Sequence, residues 1–340
     1  MKRLFIISLI LFSSNFSFSQ NSLYSAIGFY NLENLFDTID APDIMDEEFT
    51  PDGKKLWNSE KYYKKLENLS SVISDLATDK VKDGVAILGI VEIENRNVVE
   101  DLINMPKLKS RNYQIIHFES NDHRGIDIGI LYQSKYFTPE FAEPVPVDIY
   151  NGDEKIFTRD ILYVRGTYLG EKMNILVNHW PSRAGGEAKT APWRAAAASK
   201  CREIIDSISI IYPNSNFIVM GDLNDDPTNP SIRKYLYSTG NLKKIKDSEL
   251  YNPFESFYDK GIGTTAYRDA WSLFDQIIIN QNLTDKKGLD FYKAYVFNKD
   301  YLIQKKGDYK GYPLRTFVGN EFLNGYSDHF PVYIYLKNNN

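Results

Sequence analysis

The sequence predicts an α+β fold in which two β-sheets pack face to face with helices on the outside. Three observations carry this. Strand-like segments outnumber helical ones along the 340 residues. Two of them, Gly84–Ile93 (GVAILGIVEI) and 216–224 (NFIVMGDLN), are nearly unbroken apolar runs, the mark of a strand covered on both faces. Hairpin-like pairs also alternate with strand–helix–strand units, which suits mixed sheets in layers.

Taken in order, Leu23–Leu32 (LYSAIGFYNL) is a strand. In 59–79 the apolar positions Tyr62, Tyr63, Leu66, Leu69, Val72, Ile73 and Leu76 recur with helical period. The apolar run 84–93 follows, then a short helix over 98–104 and strands at 113–118 and 126–133. The strands 160–169 and 172–180 are joined by a tight GEK turn. The clearest helix is 191–211, with Pro192 near its first turn. Strand 216–224, a short helix over 232–237, and strands at 272–280, 292–297 and 329–336 complete the order. No repeat, low-complexity block or Pro/Ser-rich linker interrupts the chain, so residues 20–340 are read as one catalytic domain.

The first residues carry a different signal. Lys2 and Arg3 precede an apolar run from Leu4 to Phe12, and small and polar residues lead to Ser19. This is the pattern of a cleaved secretory signal over residues 1–19, and the run is too short to span a bilayer comfortably. The mature protein is expected in the periplasm or outside the cell, with no transmembrane segment. The lone Cys201 makes no internal disulfide, so the exported chain must rely on its core, 43% of its residues being hydrophobic. A net charge of -5 argues against a tight, non-catalytic nucleic-acid binder, whose affinity comes largely from neutralising phosphates. It does not argue against an enzyme that meets phosphates through a bound metal. Nothing implies a stable protein partner, and a monomer is expected.

The informative feature is where polar residues interrupt apolar strands. Asn31 and Glu33 end the first strand and Glu92 ends the second; His179 follows another. Asp222 and Asn224 end 216–224, Asp275 opens a strand, and Asp328 and His329 stand at the mouth of the last. Each has a plain alternative, such as a turn at Asp222, Asn224 and Pro227. Together they read as one polar cluster at one edge of a sheet pair, since buried carboxylates and amides are costly unless paired or liganding a metal. Oxygen-rich donors without cysteine suit Mg²⁺, or Mn²⁺ or Ca²⁺, better than structural zinc. Zinc-protease spacing, a P-loop, a dinucleotide-binding glycine motif and a serine-hydrolase elbow are all missing from the sequence. Carboxylates, imidazoles and a metal together suit phosphodiester hydrolysis.

The ordered set FYNLEN, GIVEIEN, NHWPSR, GDLND, FDQI and SDHFPV resembles the endonuclease/exonuclease/phosphatase superfamily of deoxyribonuclease I type. The likeness spans nearly the whole mature chain, and NHWPSR is similar to a branch of bacterial extracellular nucleases. It implies a four-layer α/β sandwich, two central mixed sheets flanked by helices, and a metal-dependent phosphoester hydrolase. It also implies roles. Glu92, Asn31 and Asp328 are metal-site residues; Asp222 orients or activates water, and Asn224 donates to the phosphate. His329 acts on the phosphate or as a base, with Asp275 holding its imidazole. His179 is a second imidazole, held by Asp127. Arg159 contacts phosphate, and Arg124, Ser182 and Arg183 are further candidates for substrate contact. Glu33 stands where many relatives carry another residue, and supports the site from behind. His117 and His123 are expected to bond locally or lie at the surface.

Two functions compete on this reading. The first is a secreted, Mg²⁺-dependent endonuclease acting on DNA or RNA. The second is a phosphodiesterase or phosphatase acting on phospholipid head groups or small phosphoesters. The loops 148–157 and 301–315 lack the exposed apolar hairpin of a lipid enzyme. The latter carries Lys305, Lys306, Lys310 and Arg315, which favours nucleic acid.

Overall fold

A computed structural model describes residues 23–42 and 44–339. The expected secretory signal lies outside the described residues. Among them no helix is long and apolar enough to cross a membrane.

The chain runs β1 (Tyr24–Leu35), α1 (Ser59–Asp75), β2 (Ile87–Ile93), α2 (Arg96–Asn104), β3 (Tyr113–Phe118), β4 (Asp127–Gln133), β5 (Phe137–Val145), β6 (Ile161–Tyr168) and β7 (Glu171–His179). It continues with α3 (Glu187–Ile211), β8 (Asn216–Asp222), β9 (Ser238–Thr239), β10 (Leu250–Tyr251), β11 (Thr265–Tyr267), β12 (Ala270–Ser272), β13 (Asp275–Ile279), β14 (Leu289–Val296) and β15 (Val332–Asn338). Two mixed sheets result. One has the order β14-β15-β1-β2-β4-β3, the other β9-β10-β13-β8-β7-β6-β5.

Side-chain alternation builds the layers. On β1 and β2, Ile27, Phe29, Ile87 and Val91 point between the sheets and meet Val164, Ile175, Val177, Ile218, Met220 and Ile277 of the second sheet. Ala26, Tyr30, Leu88 and Ile90 point the other way, onto Leu66, Leu69 and Ile73 of α1 and Val98, Val99 and Leu102 of α2. The outer face of the second sheet, with Leu176, Val219 and Ile278, packs on Ala197, Ala198, Cys201 and Ile205 of α3. The result is helix, sheet, sheet, helix, the layering expected of strands whose two faces are both apolar.

Asn58 and Asn95 cap α1 and α2 by accepting from the Lys61 and Val98 amides. The helix expected from 191 starts earlier, at Glu187, so Pro192 falls in its second turn and leaves the Ala188 carbonyl without its i→i−4 donor. The short helix expected over 232–237 is a single wide turn, Ser231–Tyr235. Strand β5 has no counterpart in the sequence reading. It carries Pro139 and Pro144 and alternates weakly, which an edge strand tolerates because only one side must pair.

Two parallel pairs, β1 with β2 and β7 with β8, set their carboxyl ends at one edge. Antiparallel β13 and β15 bring their amino ends to the same edge. Close backbone approach is needed there: a Cβ on Gly221 would lie 2.2 Å from the Asn178 carbonyl oxygen. Gly221→Ala is therefore expected to lower the unfolding free energy by about 1–3 kcal/mol, the usual cost of overpacking. Urea denaturation reads this out, and an unchanged midpoint would contradict it.

Candidate active site

The strand pairings place the polar residues together before any side chain is considered. Asp222 is the register partner of His179 on β7 and of Asp275 on β13. Facing them across the sheet gap, β1 and β2 lose regular register after Asn31 and at Glu92. Glu92 has φ 60, and Glu33 and Asn34 have φ 51 and 50. Positive φ is uncommon for residues with a side chain, and strain of this kind gathers at functional sites. The bulge at Glu92 re-aims a carboxylate that a regular strand would turn elsewhere.

At the centre the Asn31 Nδ2 group donates to Glu92 Oε1 and to Asp222 Oδ2, each at 3.1 Å. Its Oδ1 accepts from the Glu33 amide at 2.9 Å. The other Glu92 oxygen accepts from the Asn34 amide at 3.0 Å, and Asp222 Oδ1 from the Asn224 amide at 3.0 Å. His179 Nε2 lies 3.8 Å from Glu92 Oε1 and 3.6 Å from Asp222 Oδ2. His329 approaches Asp222 from the other side, its Nε2 3.8 Å from Oδ2, while its Nδ1 is 2.7 Å from Asp275 Oδ2. Ser327 fixes that last turn by donating to the Asn31 carbonyl and accepting from the His329 amide.

The two imidazoles are pushed in opposite directions. Burial lowers the His179 pKa well below its ordinary value, helped by the nearby Arg159 and Arg124 charges. Burial also opposes charge on His329, but the Asp275 and Asp222 carboxylates outweigh it and hold the pKa well above the ordinary value. Burial raises Asp222 to about 7, with Asp275 and Glu92 adding to the effect and His329 opposing it.

A second tier lies behind Asn31. Burial raises Glu33 to about 7, helped by Asp328. Glu33 accepts from the Thr316 amide at 2.7 Å, with Lys65 Nζ at 4.0 Å and Arg315 Nε at 3.9 Å. Lys65 is fully buried and donates to Thr316 Oγ1 at 2.5 Å. Asp328 Oδ2 accepts from Arg315 at 2.5 Å.

Several expected roles need restating against these positions. Asp127 does not hold His179. It opens β4 in the first sheet and bonds His117 Nε2 at 2.9 Å on the adjoining strand, whereas His179 belongs to the second sheet. His179 Nδ1 is buried with no hydrogen-bond partner among the described residues. Asn31 presents its NH₂ group to the carboxylates, because the Glu33 amide takes its oxygen. Asp328 is drawn to Arg315 and stands outside the donor groups close enough to share an ion. Arg159 is buried and donates to the His179 and Trp180 carbonyls and to Asp122. Arg183 bonds the Asn224 carbonyl, Asp225, Asp226 and Asn229. Both arginines brace the loops that present His179 and Asn224. Ser182 Oγ accepts from the Ala184 amide at 3.3 Å, and Arg124 keeps a half-exposed guanidinium on Asp122. Trp180 is core: its Nε1 donates to Asn178 Oδ1 at 2.9 Å.

The sequence reading missed Lys65, Asp122 and Ser327 as parts of the site. Lys65 looks like any polar helix position. Only the neighbouring Tyr62, Leu66 and Leu69 hint that its face of α1 is buried.

Glu92, His179 and Asp222 each offer a donor atom within 4.8 Å of the others. With an orphaned imidazole nitrogen beside them and no thiolate, this set fits a hard divalent cation.

The chain matches a model described as Endonuclease/Exonuclease/phosphatase family over residues 26–338. No curated protein sequence matches it. Among solved structures it is similar to truncated Caenorhabditis elegans TDP2 at 16% identity, covering 92% of this chain and 97% of that one, with a TM-score of 0.55. It is also similar to a Bacteroides thetaiotaomicron mannosyl-6-phosphatase, at 14% identity, 92% and 99% coverage and a TM-score of 0.54. D. rerio TDP2 complexed with single strand DNA product has 14% identity, 92% and 99% coverage and a TM-score of 0.54. At these identities the likeness establishes the fold.

The raised Asp222 carboxyl gives a pH prediction. Below about pH 7 this group carries a proton, which competes with a cation for the same oxygens. Mn²⁺ is therefore expected to bind about tenfold more weakly at pH 6 than at pH 8. Isothermal titration measures this, and binding that tightens on acidification would contradict it.

Proposed function

Since the chain belongs to the endonuclease/exonuclease/phosphatase family, whose fold serves phosphodiesterases and phosphatases, we propose that it is an exported, metal-dependent phosphodiester hydrolase acting on nucleic acid. The observation that supports this most is the His329–Asp275 pair set against Asp222, with His179 beside Asp222 on the same sheet and Glu92 across the sheet gap. A cleaved leader over residues 1–19 and a single catalytic domain over 20–340 belong to the same reading.

Each residue has a task on this reading. Glu92, His179 and Asp222 would hold Mg²⁺ or Mn²⁺, which withdraws charge from a phosphate oxygen and helps ionise water or the leaving group. His329, charged and oriented by Asp275, donates from Nε2 to a phosphate oxygen as negative charge develops. Asp222 orients the attacking water beside the ion, its lone pairs aimed by the Asn31 side chain and the Asn224 backbone amide, and the water's proton leaves to solvent. Asn224 Nδ2 spends one hydrogen on the Trp180 carbonyl at 2.9 Å and has a second for the phosphate. Arg124 is half-exposed, its charge is felt at His179, and it would meet the phosphate chain.

A small phosphoester is the second reading. A mannosyl-6-phosphatase shares the fold, and the catalytic groups alone do not separate the two substrates. The cationic segment 305–315 and a fold neighbour solved with single strand DNA product favour nucleic acid.

The mature protein is expected to nick plasmid DNA with Mg²⁺ or Mn²⁺ and to stop in EDTA. His329→Ala and Asp222→Ala should each lower kcat by about 10²–10⁴, the range for removing a positioned acid or base. Asp275→Asn should act in the same direction by releasing the imidazole. Sugar phosphates and phospholipids assayed in parallel decide the second reading. Turnover that persists in EDTA or in the His329 variant would sink the mechanism.

A further inference from the structure

Beside the catalytic cluster lies a cleft of about 340 Å³ that takes no part in the chemistry described above. One wall is the β11–β12 hairpin and the other is the segment 308–315; Arg315 and Asp328 form the end nearest the cluster. Its size is at the low end for a ligand pocket, ~300–1,000 Å³, enough for one ring system with its sugar and too small for a duplex segment.

The lining sets three tyrosines, Tyr267, Tyr309 and Tyr312, among charges of both signs, Arg268 and Arg315 with Asp269, Asp308 and Asp328. Tyr267 on one wall is 72% exposed and Tyr309 on the other 39%, and Trp271 behind them is 37% exposed. The Arg268 guanidinium lies 5.2 Å over the Tyr267 ring. Tyr309 packs on Tyr312 at 5.8 Å, Tyr312 on Trp271 at 6.0 Å, and Trp271 stacks on Phe330 at 6.0 Å and 14°. That aromatic ladder ends one residue from His329. Lys306 and Lys310 stand exposed on the loop that carries Tyr309.

The hairpin tip is held in an unfavourable shape. Tyr267 pairs with Ala270, so Arg268 and Asp269 form a two-residue turn, with φ 49 and 63. Such a turn favours Asn-Gly, not Arg-Asp. The Tyr312 hydroxyl keeps it in place by accepting from the Asp269 amide at 2.6 Å and donating to its carboxylate at 2.7 Å. The tip is therefore tied to the opposite wall, which fixes the spacing between Tyr267 and Tyr309.

We propose that this cleft is a base-stacking subsite, seating an unpaired nucleobase next to the scissile phosphate between the Tyr267 and Tyr309 sides. Exposed aromatic faces interleaved with cations accept any base by stacking while the cations follow the backbone. A sugar subsite would instead need converging acids and amides; no amide side chain lines this cleft, Asp269 is committed to Tyr312 and Asp328 to Arg315. The inference rests on the nucleic-acid reading above and adds that the preferred substrate is single-stranded.

The test uses the full mature protein carrying His329→Ala, so that bound strands survive. Anisotropy of a labelled single-stranded oligonucleotide in Mg²⁺ gives the affinity, beside a strand of equal length with every base removed. Adding Tyr267→Ala or Tyr309→Ala should weaken binding of the natural strand about tenfold or more, while Tyr267→Phe keeps it. The abasic strand should bind weakly and be indifferent to these changes. Equal binding of both strands, or no loss in the two alanine variants, overturns the subsite. If the otherwise unaltered enzyme still nicks plasmid in that case, the nuclease reading survives alone. If it cuts no nucleic acid but hydrolyses a sugar phosphate, both readings fall.

Discussion

The Asn31 side chain is the contact on which the rest of the site depends. Its amide reaches Glu92 on its own sheet and Asp222 on the facing one, both at 3.1 Å. Two buried carboxylates would otherwise oppose each other across the sheet gap with no donor between them, and an unpaired buried charge is costly. One neutral donor pair holds them close without adding charge, so the oxygens remain available to a cation. Asn31 is itself held from both sides, its oxygen by the Glu33 amide and its backbone carbonyl by Ser327. The contact thereby couples the first strand, the facing sheet and the turn that carries His329.

Backbone strain at this edge follows from the same constraint. A regular strand alternates its side chains, so Glu92, next to the inward Val91, would turn away from the site without a break in register. The irregularities after Asn31 and at Glu92 carry Glu33, Asn34 and Glu92 at φ of 51, 50 and 60, which non-glycine residues seldom adopt. Packing of the two sheets overdetermines the backbone on both sides and keeps the strained residues in place. Gly221 works in the opposite way. By lacking a Cβ it lets β8 lie against Asn178, and so brings Asp222 level with His179.

Much of this was legible in the sequence because periodicity reports burial. The apolar runs at 84–93 and 216–224 are β2 and β8, and the polar residues at their ends fall at the shared edge. The pairing of His329 with the distant Asp275, in place of its neighbour Asp328, followed from the family likeness, and the two side chains do meet. What could not be read was which donor meets which acceptor. Asp127 and His117 lie ten residues apart in a hairpin and pair diagonally across it; no spacing rule separates that from a bond to His179. Arg159 and Arg183 look like phosphate ligands in the sequence, yet backbone carbonyls at loop ends draw them inward. Carbonyls left bare by a turn are invisible in a string of residue types. Lys65 was hidden for a related reason, since its acceptors arrive from residues 33 and 316.

The two imidazoles show how environment, not residue type, divides the labour. His179 is buried, with the Arg159 and Arg124 charges nearby, so protonation is opposed and Nε2 stays a lone-pair donor. His329 is equally buried but is flanked by Asp275 and Asp222, so protonation is favoured and Nε2 stays a proton donor. On the proposed reading, a pair of like groups pushed apart in this way would supply an acid and a ligand at a single pH. The arginines that brace the loops therefore have a second effect. Arg159 fixes the His179 backbone through its carbonyl and, by its charge, also keeps that imidazole neutral. Replacing it by a neutral residue would loosen the loop and raise the imidazole pKa together. Structural support and electrostatic tuning are here the same side chain, which is why a buried arginine stands behind a histidine that must remain uncharged.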